Sequence, residues 1–267
     1  EPPSNEPTPS PSDDPTFSPT ELPSKDPTPR PTCSIVQEDF NLCLALDTSG
    51  SICNDGSGSD CTDCVNSEEP NLFLRRLDHF SPDSECREDF VSESRCCNNF
   101  DIIAQFASQM VTALADFDAE KSFSVVKFGS DAKIVSGLDP VKRITKVIEN
   151  QLAYTGGLTN HQAAINTCQS TFSSVPGRKN FILLVTDGVS SEPDPDPVAV
   201  AEQAADAAKL AGTHIIPVFI SSSGYSNESD ALDFMGRLSS NGEVFYVSDF
   251  GSLNSLQGRL VEQVSCL

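Results

Sequence analysis

Basic side chains are scarce in this chain. Seventeen Lys and Arg stand against 39 Asp and Glu, giving a formal net charge of −22 and a pI near 4.2. That deficit excludes the electrostatic footprint of a nucleic-acid or anionic-lipid binder and suits divalent cations, basic partners or a solvated surface. Long apolar runs are missing too, so nothing in the 267 residues reads as a membrane span. Neither a methionine nor an apolar leader opens the chain at Glu1, from which a mature form or a fragment is expected. Histidine occurs only as His79, His161 and His214, and no serine sits in G-x-S-x-G. A Ser-His-Asp hydrolase therefore lacks its parts.

Cysteine, by contrast, is abundant. Cys53, Cys61, Cys64, Cys86, Cys96 and Cys97 crowd a segment too polar to pack by itself, and Cys33, Cys43, Cys168 and Cys266 bring the total to ten. Such density argues for disulfides and an oxidising, extracellular setting, either secreted or at the cell surface or wall. Asn227-Glu228-Ser229 is an acceptor sequon that a secretory route would make usable.

Three regions follow one another. In residues 1–32 proline recurs every fourth position from Pro3 to Pro31, each followed by Ser or Thr. A segment so poor in apolar side chains cannot offset its ordering entropy, and a disordered, partly polyproline II stalk is expected. The repeat resembles the linkers of algal, especially diatom, cell-wall proteins. From residue 40 onward short apolar runs alternate with helical patterns. FNLCLAL (40–46), SFSVVKF (122–128), AKIVSGL (132–138), FILLVTD (181–187), THIIPVFI (213–220) and EVFYVS (243–248) read as strands. Helices are expected at about 100–117, 140–151, 160–172, 197–211, 229–239 and 251–264, with Asp196-Pro197 as N-cap and first-turn proline. The alternation predicts an α/β fold: a doubly wound, mostly parallel, Rossmann-like sheet with helices on both faces. Residues 53–97 interrupt it as an acidic, Cys-rich insertion after the first strand, and the whole of 33–267 forms one domain around it.

Asp47 and Asp187 end the two most apolar strands, and in such sheets ligands bind beyond the carboxyl ends of central strands. Asp47-Thr48-Ser49-Gly50-Ser51 adds two hydroxyls at alternate positions. That donor set suits a hard, oxygen-seeking cation, Mg²⁺ first and Mn²⁺ or Ca²⁺ as substitutes. A second D-x-S-x-S, Asp55 to Ser59, has no strand before it and lies between Cys53 and Cys61, where a flexible loop is the better reading.

LALDTSGSI (45–52 with its leading Leu44), YTGGLTNHQAAI (154–165) and FILLVTDGVS (181–190) resemble the three metal-site loops of the von Willebrand factor A domain family. The resemblance implies a metal-ion-dependent adhesion site in which Asp47, Ser49, Ser51, Thr159 and Asp187 hold the cation. It implies a partner protein or matrix ligand that completes the shell with a carboxylate. Gly157, His161 and Gly188 are expected on the partner-binding rim, with His161-Gln162 standing where family members often carry Thr-Gly; the alternative for His161 is a solvated residue in the first turn of its helix. The insertion would lie beside the crevice, as part of the binding surface, as a lid, or as a disulfide-tied knob without a binding role.

Cys33 and Cys266 flank the domain and are the candidates for a bridge tying its ends. Cys43 and Cys168 should both face the core, as a buried bridge or as inert small hydrophobes. The six insertion cysteines allow fifteen pairings, and in an oxidising compartment disulfides are favoured over a zinc site at Cys61, Cys64, Cys86 and Cys96. No enzyme is expected. LDTSG resembles the loop of aspartic proteases, but those need glycine directly after Asp-Thr or Asp-Ser, and Ser49 intervenes. The alternative to an adhesion module is a cell-wall or matrix protein that self-associates, with the metal only stabilising.

Overall fold

A computed structural model describes residues 38–53, 98–115, 120–172, 177–221 and 228–266. The stalk, nearly all of the insertion, the second D-x-S-x-S and Asn227 lie outside the described residues.

Eight residues of near-continuous apolar character form β1 (Phe40–Asp47), and all eight are buried. A strand reads this way only when both faces are covered. β1 is indeed interior, paired in parallel with β2 (Lys121–Phe128) on one side and β4 (Lys179–Thr186) on the other. β5 (Thr213–Ile220) and the three-residue β6 (Phe245–Val247) continue the sheet in parallel beyond β4, and β3 (Ala132–Asp139) closes the opposite edge antiparallel to β2. The order is therefore β3-β2-β1-β4-β5-β6. The expected doubly wound, mostly parallel sheet is present.

Period-two alternation divides the core into two layers. Phe40, Leu42, Leu44 and Leu46 face α2 (Asn98–Ala115), α3 (Val141–Gln151), a 3₁₀ helix (Phe250–Leu256) and α7 (Gln257–Cys266). Cys43 and Ala45 face α4 (His161–Thr171), α5 (Pro197–Leu210) and α6 (Glu228–Leu238). Sequence patterning differs from this structure mainly at ends. The last strand is three residues rather than six, the final helix starts as a 3₁₀ turn capped by Asp249, and a four-residue helix, α1 (Gly50–Cys53), follows the first loop. Asp196 caps α5 as expected, its carboxylate accepting from the Ala199 amide at 3.1 Å.

Of the cysteines, Cys43 on β1 and Cys168 on α4 form a disulfide across the second layer, both fully buried. Cys53 is also disulfide-bonded. Cys33, Cys61, Cys64, Cys86, Cys96 and Cys97 lie outside the described residues and the side chain of Cys266 is not described, so the Cys33–Cys266 expectation lies outside them as well. No described helix is long and apolar enough to cross a membrane.

Leu44 is fully buried at the middle of the central strand. Leu44→Ala is expected to cost about 3 kcal/mol through lost transfer energy and a cavity. Ile134→Thr, at a position 49% exposed on the edge strand, should stay within about 0.5 kcal/mol of the parent. Urea unfolding of both variants checks the contrast.

Candidate metal centre

The site is built where β1 and β4 run side by side and end together. Asp47 is the last residue of β1, and its carboxylate is turned back on the loop by a short Asx-type contact, Oδ1 accepting from the Ser49 amide at 2.7 Å. Its other oxygen, Oδ2, accepts from the Thr186 hydroxyl at the end of β4, at 2.6 Å. The Ser49 and Ser51 hydroxyls are 3.1 Å apart, and Ser51 Oγ donates to Asp187 Oδ1 at 2.7 Å. Four of the five expected ligands thus form one continuous hydrogen-bonded set. Asp47, Ser49 and Asp187 are buried within it.

The fifth, Thr159, arrives on the loop before α4, and three ties bring that loop in. The Gly50 amide donates to the Gly157 carbonyl at 2.8 Å. Thr48 shares a hydroxyl contact with Thr155 at 2.7 Å while donating, from both Oγ1 and its amide, to the Phe128 carbonyl. On the far side, the Thr159 amide donates to Ser191 Oγ at 2.9 Å, and its carbonyl accepts from the Ser191 and Glu192 amides. Two glycines are sterically required for this approach. A Cβ on Gly129 would stand 2.7 Å from the Gly156 carbonyl, and Gly157 holds φ +100° with Ser130 Oγ 3.0 Å from where its Cβ would be.

Burial dominates the electrostatics. Desolvation pushes the Asp47 carboxyl up to about 6, against the lowering effect of its bonds from Thr186 and Ser49. All its hydrogen-bond partners are neutral hydroxyl or amide groups. Among the described residues no group of three or more His, Cys, Asp or Glu side chains gathers at one place. The donors available here are carboxylate and hydroxyl oxygens.

The expected rim needs correction. Gly157 is exposed, but Gly188 is buried, its amide donating to Thr186 Oγ1 at 3.2 Å. His161 is fully buried and belongs to the core. Its ring lies 5.5 Å from that of Phe128 and 5.4 Å from that of Phe234, and its Nδ1 hydrogen-bonds Ser190 Oγ at 2.9 Å. Nε2 has no partner. The physical reason is helical phase. His161, Ala164, Ile165 and Cys168 recur at i, i+3, i+4 and i+7, which puts them on one inward stripe of α4. That spacing was present in the sequence and was the signal to use. Ser190, Ser191 and Thr186, which knit the loops together, were missed; they stand beside Asp187 in the same apolar-to-polar transition.

Residues 91–259 match the von Willebrand factor type A domain, well over half of the chain. The chain belongs to the von Willebrand factor type A domain family. The match begins at residue 91, near the end of the insertion, so the Asp47 loop, which precedes it, joins the domain through β1's place in the sheet. No curated protein matches this A domain in sequence. Among solved structures, it is similar to proximal thread matrix protein 1 from the mussel byssus, at 18% identity and a TM-score of 0.59 over 88% of this chain and 49% of that one. Another structure of the mussel protein, with a zinc-occupied MIDAS motif, gives 18% identity and 0.59 over 86% and 48%. The PilB minor pilin from Streptococcus sanguinis gives 14% and 0.58 over 86% and 62%. The chain spans about half the length of the mussel protein, and at these identities the likeness is one of fold.

Burial holds the His161 imidazole down to about 3, far below its ordinary value of 6.5. The unfolded chain therefore takes up a proton below pH 6.5 that the folded chain refuses. The stability His161 contributes is complete above pH 6.5 and is lost as pH falls toward 3. Denaturant unfolding at pH 7.5 and 4.5 should show a larger acid loss in the parent than in His161→Phe.

Proposed function

We propose that this A domain is an extracellular, metal-dependent adhesion module. Asp47, Ser49, Ser51, Thr159 and Asp187 hold a divalent cation, and a carboxylate from a partner protein or matrix ligand completes its coordination. The observation that carries the reading is the Asp47 carboxylate, buried entirely, raised to about 6 and partnered only by neutral groups. At neutral pH such an anion costs several kcal/mol to keep dry unless a cation compensates it. A divalent ion among two carboxylates and three hydroxyls would do so.

The donor chemistry favours Mg²⁺, with Mn²⁺ and Ca²⁺ as substitutes, because all the ligands are hard oxygens. Two carboxylates against two positive charges leave the bound ion nearly neutral, so an incoming carboxylate meets no net repulsion from the site. The module's setting is read from its bonds: a buried Cys43–Cys168 disulfide and a second one at Cys53 suit an oxidising compartment. Gly157, exposed at the mouth, is where a partner's chain could come close without meeting a side chain.

Thermal unfolding of the chelator-stripped protein tests the ion site. Mg²⁺ or Mn²⁺ at a hundred times its dissociation constant should stabilise the parent by about 2.7 kcal/mol, a rise of roughly 5–10 °C in Tm. Asp47→Ala and Ser49→Ala should lose the rise. A parent indifferent to both ions, or an Asp47→Ala variant that still responds, would overturn the assignment. Given the ion response, ligand binding that survives EDTA would overturn the adhesion reading and favour metal-insensitive self-association.

A further inference from the structure

One helix carries more anchoring than packing alone requires. Near one end of the buried stripe of α4, Cys168 is bonded to Cys43 of β1, their Cα atoms 5.7 Å apart. At the other end His161 is bonded to Ser190 at 2.9 Å, both residues being buried. Each anchor sits on an element that leads into the metal centre. Cys43 lies four residues before Asp47 on the same strand and, by the period of two, on the same face. Ser190 lies three residues beyond Asp187. α4 itself starts two residues after Thr159.

Between the anchors α4 lies on β1, β2 and β3, and its last residue, Thr171, shares a hydroxyl contact with Ser124 of β2 at 2.8 Å. It also packs against α5, whose buried residues are Ala201, Ala204, Ala205 and Ala208. Methyl groups set the distance between two helices but form shallow ridges, so they resist axial slip poorly. A sound metal site keeps its donor atoms within about 0.2 Å of the usual coordination distances. Thr159 is tied to the neighbouring loop through its main chain, and its displacement along the α4 axis is opposed by whatever fixes α4.

We infer that the Cys43–Cys168 disulfide and the His161–Ser190 bond are positioning devices for the metal centre, holding α4, and Thr159 with it, in register with Asp47 and Asp187. The inference rests on the proposed ion site. Both sulfurs belong to residues with no solvent exposure, so the bridge is a permanent clamp in the folded protein. His161 acts through Ser190 and the loop that carries Asp187, and does not touch the ion.

Titration of the chelator-stripped chain with Mn²⁺, read as free Mn²⁺ by electron paramagnetic resonance, separates positioning from plain stabilisation. Ser190→Ala and the double variant Cys43→Ala/Cys168→Ala are each expected to raise the dissociation constant at least about tenfold, the usual cost of losing a group that orients a ligand. Ile148→Ala, in the opposite core layer, should lower Tm without moving it. An unchanged dissociation constant in both Ser190→Ala and the double cysteine variant, with only Tm reduced, overturns the inference. Should the double variant not fold, Ser190→Ala decides alone by the same criterion. A parent that takes up no Mn²⁺ overturns the ion site and this inference together, an outcome distinct from a parent that binds while its variants bind equally well.

Discussion

A carboxylate at the end of a strand with no solvent on either side is the constraint on which the rest of the site depends. β1 lies between β2 and β4 with helical layers above and below, so Asp47 leaves the sheet already dry. The surrounding loops divide the work of making that tolerable. The Ser49 amide and the Thr186 hydroxyl satisfy its oxygens, and Ser51 extends the network to Asp187. Hydrogen bonds from neutral donors do not cancel a charge, however. Burial still wins over them at Asp47, which is why a compensating cation is the economical solution.

The same logic explains why the three loops are so thoroughly cross-tied. A cation at the proposed centre would collect ligands from places far apart in sequence, near residues 50, 159 and 187, and each loop would lose its own conformational entropy on binding. Prior connection through Gly50 to Gly157, Thr48 to Thr155 and Thr159 to Ser191 spends that entropy on folding. The glycines at 129 and 157 serve this closeness of backbones more than local flexibility. Affinity in such a centre depends on the scaffold as much as on the donor atoms.

Much of this architecture was legible in the residues. Unbroken apolar runs ending in aspartate marked β1 and β4 as interior neighbours, because only strands covered on both faces lack alternation. The five proposed ligand positions were expected from the ends of those strands and from resemblance to the family's loops, and the structure joins four of them in one hydrogen-bonded set. His161 was misjudged because a polar residue at the start of a helix is ordinarily solvated. Its membership of the Ala164–Ile165–Cys168 stripe outweighs that tendency, and the aromatic faces of Phe128 and Phe234, distant in sequence, supply its surroundings. The Cys43–Cys168 pairing stayed open for a related reason: two inward cysteines are compatible with contact or separation until the crossing of helix and strand is known. Element ends were the least legible, since the 3₁₀ turn at 250–256 and the short β6 are settled by tertiary contacts rather than local pattern.

The edges of the sheet bear on how such a module behaves when many copies are held close together. β6 offers only three residues of unpaired backbone. β3 is longer, but its pairing with β2 shifts register twice, it presents Lys133 outward, and Gly137 interrupts its exposed side. Irregular, charged or very short edges are poor templates for another strand. Crowded copies are thereby kept from zipping their sheets into a continuous ribbon. At the described edges, contact between copies is left to side chains, and can be made and released without unfolding.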